Sequence, residues 1–598
     1  MTEDILLQVK KPAQYIGGEW NVSKKDFDKA YLTFALCFPD LYEVGMSNLG
    51  IRILYGILNG IDDVSCERFF ASDLDMQEVL RSANQKLSSL ESKRPLRDFD
   101  LVGFSLSYEL CYTTVLAMLD QGGMPLRADE RDHTYPLVIG GGPCALNPEP
   151  MHEFFDFFVL GEAEEVILEI LEVYRRYKEQ LRSKKITKQE VLIAFAQIEG
   201  VYVPSLYEVA YSAGGQLESY TPNTRLAPAT IKKRIVRSLD QAYFPLAWLV
   251  PYVQIIHDRI MVEVMRGCPH HCRFCQARSQ YYPFRIRQPQ KIVQVAKDAY
   301  RSSGYEEISL TGLSVSDYPG LDELSKSMVQ FCTHSAVSLS FPSIRPYAHV
   351  ADLSTLIATI KKTGLTFAPE AASVRLRTLL AKDFEVETFF SVLREVYRAG
   401  YFHVKLYFMI GLPQETQEDV DAIVDFAQEV SLTRKQVGKP AAEVHVSVNT
   451  LIPKPHTPFQ WLGMEPLLEI ERKQQRLKDK VKKYKKIKIH FHNSQMSVIE
   501  AILCRGDRRL SKAVASAYYR SAHFQGWENH FNFSVWQAAL QEHACDPSQY
   551  LKAKSRHELL PWDSLDLGIR KEKLLSEAEE IKLVAGKEDR MYNITPNR

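Results

Sequence analysis

The chain has 598 residues, 45% hydrophobic and 25% charged, the balance of a globular protein with a sizeable core, which excludes disordered and fibrous classes. Lys plus Arg equals Asp plus Glu at 74 each, so no net field draws the chain to nucleic acid or membrane, and any basic surface is local. Ten cysteines with a single tight grouping point to a reducing compartment, not a disulfide framework. The opening Met-Thr-Glu-Asp-Ile-Leu-Leu lacks a signal pattern. The most apolar stretch, 243–256, is broken by Pro245 and Pro251 and is too short to span a bilayer. A cytoplasmic location without membrane contact is expected.

Residues 1–30 read as an N-terminal arm with a Gly-Gly turn at 17–18. From 31 to 190 the pattern is α/β: apolar runs at 31–38, 101–107, 136–140 and 156–160 alternate with helical stretches, the last at 161–186. This alternation predicts a doubly wound, Rossmann-like parallel sheet with ligands bound beyond the strands' carboxyl ends. The loops there carry Asp40-Leu-Tyr42-Glu-Val-Gly45, Ser105-Leu-Ser107 and Gly140-Gly141-Gly142. This set resembles the cobalamin-binding domain, with its D-x-H-x-x-G, S-x-L and G-G motifs. The resemblance implies a corrinoid pocket lined by Asp40, Tyr42, Gly45, Ser105 and Gly141. Tyr42 stands where that family has its cobalt-ligating histidine, and a phenol of pKa about 10 is a poor ligand at neutral pH. Cobalamin would then be held without a histidine below, or the pocket is vestigial.

Residues 191–255 read as a linker with a small β element around Gly214-Gly215. From 256 to 462 the strand–helix alternation runs for six rounds, with strands at 260–265, 307–311, 337–341, 365–369, 403–410 and 443–450. At its start stands Arg266-Gly-Cys268-Pro-His-His-Cys272-Arg-Phe274-Cys275, three cysteines at C-x3-C-x2-C spacing. Thiolates select iron–sulfur clusters, and three of them leave one iron of a [4Fe-4S] cluster without a protein ligand. A zinc site would ordinarily add a fourth Cys or His at matching spacing. The stretch resembles the signature of the radical S-adenosylmethionine (SAM) superfamily. The resemblance implies a partial (β/α)6 TIM-type barrel, SAM chelated to the open iron, Phe274 beside the adenine, and an electron donor such as ferredoxin or flavodoxin.

Residues just after each barrel strand are then the candidates for holding SAM. They are Thr311, Gly312 and Ser314 after the second, Arg345 after the third, Glu370 and Ser373 after the fourth, and Gly411 of Gly-Leu-Pro after the fifth. His456, in the proline-rich loop after the sixth, faces either substrate or solvent. Residues 463–598 read as a mainly helical C-terminal region. Its run 472–488 is very rich in Lys and Arg, either the solvated face of an amphipathic helix or a contact for RNA or the ribosome. Nearly the whole chain is similar to a group of radical SAM proteins with an N-terminal cobalamin-binding-like domain. Three functions are open at this stage. One is cobalamin-dependent methylation, or other C–C or C–S bond formation, at an unactivated carbon. Another is modification of RNA or a ribosomal protein with a vestigial front domain. The third is non-catalytic redox sensing by the cluster. The substrate is not legible.

Overall fold

The computed structural model describes residues 3–340 and 365–584. The front sheet contains β1 (Leu32–Phe38), β2 (Val64–Phe70), β3 (Leu101–Ser105), β4 (Leu137–Gly141), β5 (Phe157–Val159) and β6 (Val201–Tyr202), in the order β2-β1-β3-β4-β5-β6. Strands β1 to β5 are parallel, and β6 closes the edge antiparallel. All seven residues of β1 are buried, as an apolar strand covered on both faces must be. The order reverses between β1 and β3, which puts the crevice of a doubly wound sheet at their carboxyl ends. Strand β2 escapes a reading by hydrophobicity because Glu67 and Arg68 interrupt it. Both are buried, Arg68 between Glu19 and Glu91 at 2.7 Å each.

The sheet is followed by the hairpin β7 (Tyr207–Tyr211) and β8 (Leu217–Pro222), then by β9 (Ile231–Lys232). The second α/β unit begins with β10 (Ile260–Glu263), β11 (Met265–Arg266) and β12 (Arg285–Ile286). Next come β13 (Glu307–Thr311), β14 (Ser338–Ser340), β15 (Leu365–Glu370), β16 (His403–Ile410), β17 (Glu443–Thr450) and β18 (Ile487–Phe491). Strands β10-β13-β14 form one parallel sheet and β15-β16-β17-β18 another, with no closed barrel among the described residues.

The six expected strands are present, and β18 adds a seventh beyond the expected boundary at 462. Helix Leu467–Val481 is therefore the crossover between β17 and β18, not part of a separate helical region. Ile487-Lys-Ile-His-Phe hides among lysines because its alternate residues lie on the sheet face away from the helices. Much of the basic run is paired locally: Lys473 with Glu415 and Glu465, Arg476 with Asp421, Lys480 with Asp425 and Lys488 with Glu443. No described helix is long and apolar enough to cross a membrane.

The C-terminal part returns over both units. Strand β19 (Leu565–Asp566) pairs with β9, and Asn147 donates to the carbonyls of Cys504 and Gly506 at 3.0 and 2.9 Å. Arg508 bonds Glu149 at 2.6 Å and the Tyr202 hydroxyl at 2.8 Å. Lys454, after β17, sits between Glu109 and Glu500 at 3.1 and 2.6 Å.

Replacing Arg508 with alanine leaves the Glu149 carboxylate, 3% exposed, without its cation. Breaking such a buried pair costs about 3–5 kcal/mol. The urea midpoint of R508A is expected to fall far below that of Arg476→Ala, whose exposed pair is worth under about 1 kcal/mol. Equal midpoints would remove this seam from the account of stability.

Candidate active site

Cys268, Cys272 and Cys275 lie on the loop between β11 and β12, whose antiparallel pairing closes the loop at its base. Gly267 has φ +85°, and a Cβ there would stand 2.8 Å from the carbonyl oxygens of Tyr281 and Pro283, so the residue before Cys268 must be glycine. The outer edge of the loop is tied down by cations. Arg273 donates to the Leu379 carbonyl at 2.8 Å, Arg278 makes two bonds to Glu577 at 2.6 and 3.0 Å, and Lys233 donates to the carbonyls of Ser279, Gln280 and Tyr282. Burial, with the neighbouring Cys272 and Cys268 thiols, pushes the Cys275 thiol up. Three thiolates this close repel one another unless a metal centre supplies the countercharge. The donor set therefore fits an iron–sulfur cluster with one iron free for SAM.

Phe274 packs against the apolar cluster that includes Leu379, Met409 and Leu412, and Lys382 lies 5.8 Å from its ring centroid. The same Lys382 pairs with Glu370 at 2.8 Å, which joins the cysteine loop to the carboxyl end of β15. Glu370 has φ +66°, a strained conformation for a non-glycine residue and of the kind that concentrates at functional sites. Gly411 has φ +80°, and its amide donates to Glu415 at 2.9 Å, fixing the turn after β16.

Other assigned positions have structural partners. Ser373 caps helix Val374–Leu379. The Ser314 hydroxyl is buried and donates to Asp317, which lies 2.9 Å from His270 Nε2. The Thr311 carbonyl accepts from the Val264 amide at 2.9 Å, and a Cβ on Gly312 would meet the Met265 side chain at 2.5 Å. Arg345 lies outside the described residues.

The front-domain positions tell a different story from their motif. Asp40 accepts from Trp527 Nε1 at 2.9 Å and from the Tyr108 hydroxyl. Gly526 packs so closely on Tyr108 that a Cβ would be 2.4 Å from the ring. Tyr42 is buried edge-on to Phe70, its hydroxyl donating to Glu19 at 2.9 Å, and burial pushes that phenol up, away from the phenolate a metal needs. Gly45 allows the Phe70 ring to approach, since a Cβ would sit 2.2 Å from it. Ser105 pairs with Gly141 in register, and the Gly141 carbonyl accepts from the Leu106 amide at 2.7 Å. Asp40 and Tyr42 are thus engaged by protein groups, and the buried Tyr42 phenol is no substitute for a cobalt-ligating histidine. Tyr108 and Lys382 carry no motif. Trp527 is 487 residues from Asp40, so nothing local marks it.

His456 does not face solvent. It is buried near Trp562, and because a carbonyl can only accept, its Nε2 carries the proton donated to Leu146 at 2.9 Å. Burial pushes its pKa from 6.5 down to about 4. Between those values the unfolded chain binds a proton that the folded chain does not, so stability rises with pH and is lost toward pH 4. Wild type is expected to lose up to about 3 kcal/mol more than His456→Gln between pH 6.5 and 4, read as the difference in urea midpoints. Parallel profiles would refute this.

A family model described as radical SAM proteins, N-terminal, matches residues 50–204, and one described as the radical SAM superfamily matches residues 262–427. Among relatives, the uncharacterized protein MJ0966 of Methanocaldococcus jannaschii is 27% identical over 80% of this chain and 89% of its own. The uncharacterized methyltransferase PH0819 of Pyrococcus horikoshii is 20% identical over 65% and 74%. Among solved structures, the radical SAM methyltransferase TsrM of Kitasatospora setae, with cobalamin and a [4Fe-4S] cluster bound, is matched at 13% identity over 70% of this chain and 72% of that one, with a TM-score of 0.43. The radical SAM domain brings the [4Fe-4S] cluster and SAM as cofactors, and its match includes all three cysteines of the anchored loop. The chain is a member of the radical SAM superfamily, with that superfamily's N-terminal domain ahead of its radical SAM domain.

Proposed function

We propose that this enzyme modifies an unactivated carbon of its substrate by radical chemistry, with the front domain serving as scaffold. When bound to the reduced cluster, SAM supplies a 5′-deoxyadenosyl radical. The chain's own residues divide the remaining work. Cys268, Cys272 and Cys275 hold the cluster. Glu370, oriented by Lys382 at its strained corner, would accept hydrogen bonds from bound SAM. Phe274 and the Gly411 turn would back the adenine of bound SAM. The buried loop from Pro453 to Phe459 helps keep water from a radical it would quench.

The observation that carries the scaffold reading is Asp40, whose carboxylate is taken by Trp527 and Tyr108 at the switch point of the front sheet. Cobalamin-dependent methylation is the second reading. Its support is the sheet order, which sets the Asp40, Ser105 and Gly141 loops at neighbouring carboxyl ends on the side of the Lys454–His456 loop.

Anaerobic purification with iron, sulfide and corrinoid assays, followed by reduction with SAM, tests both. The expected result is about four irons per chain, 5′-deoxyadenosine formation, and no corrinoid absorbance. The triple Cys→Ala variant is expected to fold but to form no 5′-deoxyadenosine. A stoichiometric corrinoid would replace the scaffold reading with methylation. Cleavage of SAM by the triple variant would sink both.

A further inference from the structure

The sheet β15-β16-β17-β18 has two unlike faces. Val404, Leu406, Val444 and Val446 are buried on the face that joins the helices in one core. The alternate residues His403, Glu443 and His445 stand on the opposite face, partly open. Parallel register sets His403 beside Glu443, and the period of two along β17 brings His445 to the same side as Glu443. His403 Nδ1 lies 3.9 Å from one oxygen of the Glu443 carboxylate, and His445 Nε2 lies 3.1 Å from the other. One ligand atom from each of the three residues falls within 4.8 Å of the other two.

We propose that His403, Glu443 and His445 form a binding site for a divalent transition metal, with zinc the ion that fits. Two imidazole nitrogens and one carboxylate oxygen are a zinc donor set, and three protein ligands leave a coordination position open. Magnesium and calcium demand oxygen-rich shells that two histidines cannot provide. The residues sit on adjacent strands of one sheet, so most of the ordering needed to gather them is already supplied by the fold. Lys488 pairs with Glu443 and is more than half exposed on its flexible stem. It is the group an incoming cation displaces.

The site is separate from the iron–sulfur chemistry. His403 begins β16 and Ile410 ends it, seven residues on, a separation of roughly 23 Å at about 3.3 Å per residue. Glu370 and Gly411 belong to the carboxyl ends of these strands, the metal site to their amino ends. Its open position faces the side of the sheet away from the helices, where water or an oxygen of an acidic group completes the shell.

The test is a calorimetric titration of the anaerobically reconstituted full-length enzyme with zinc chloride in a non-coordinating buffer. One zinc per chain is expected beyond the iron of the cluster. The His403→Ala, His445→Ala double variant is expected to bind at least about tenfold more weakly, and Glu443→Gln, which keeps the side-chain shape, to do the same. Iron content, sulfide content and 5′-deoxyadenosine formation should be unchanged in both. Cobalt(II) in place of zinc should give visible absorption bands in wild type that the double variant lacks. Zinc binding of equal strength in all three proteins overturns the proposal, as does zinc uptake only at the expense of iron.

Discussion

The arrangement of this enzyme depends on one buried carboxylate, that of Glu162, just beyond the end of β5 in the front sheet. It accepts from Arg285 at 2.6 and 2.8 Å and from the Val236 amide at 2.7 Å, and Arg266 lies 3.2 Å away. Burial by itself would raise this carboxyl, but the Arg285 hydrogen bonds and the charges of Arg266 and Arg285 outweigh it and hold it below the usual range. Arg266 and Arg285 are register partners at the base of the cysteine loop. The hub therefore fixes where the cluster stands relative to the front domain. Because each buried charge is costly without its partners, the two units meet in one geometry.

A second set of contacts decides what the front domain can hold. The doubly wound sheet has the crevice that such sheets use for ligands, and its loops carry the small and acidic residues of a corrinoid site. The chain returns more than four hundred residues later to put Trp527 on Asp40. Asn147, Glu149 and Glu109 are bound along the same edge by groups from beyond β17. These contacts bind the front domain to the later part of the chain beside the loop Pro453–Phe459, where His456 is buried against the Leu146 carbonyl.

The cysteine motif was legible because its three cysteines fall within eight residues, where spacing in sequence nearly fixes spacing in space. The α/β class was legible because strands buried on both faces must be apolar, as β1 is. Reading failed where a strand carries charge, as in β2 with Glu67 and Arg68, or hides behind lysines, as in β18. The fold also gives Ser373, read from the sequence as a ligand contact, the local duty of capping a helix, which spacing alone does not show. Glu370 stood out by its place after a strand, whereas its positive φ and its tie to Lys382 appear only once the chain is folded.

By itself the sequence determined the three-cysteine motif, the superfamily and the order of the two α/β units, since all three rest on local spacing and periodicity. Only the tertiary structure decided which loops are available for chemistry. Partners such as Trp527 and Asp40, or His403, Glu443 and His445, meet through strand register and chain return. Those are long-range contacts, and a residue's neighbours in sequence do not encode them.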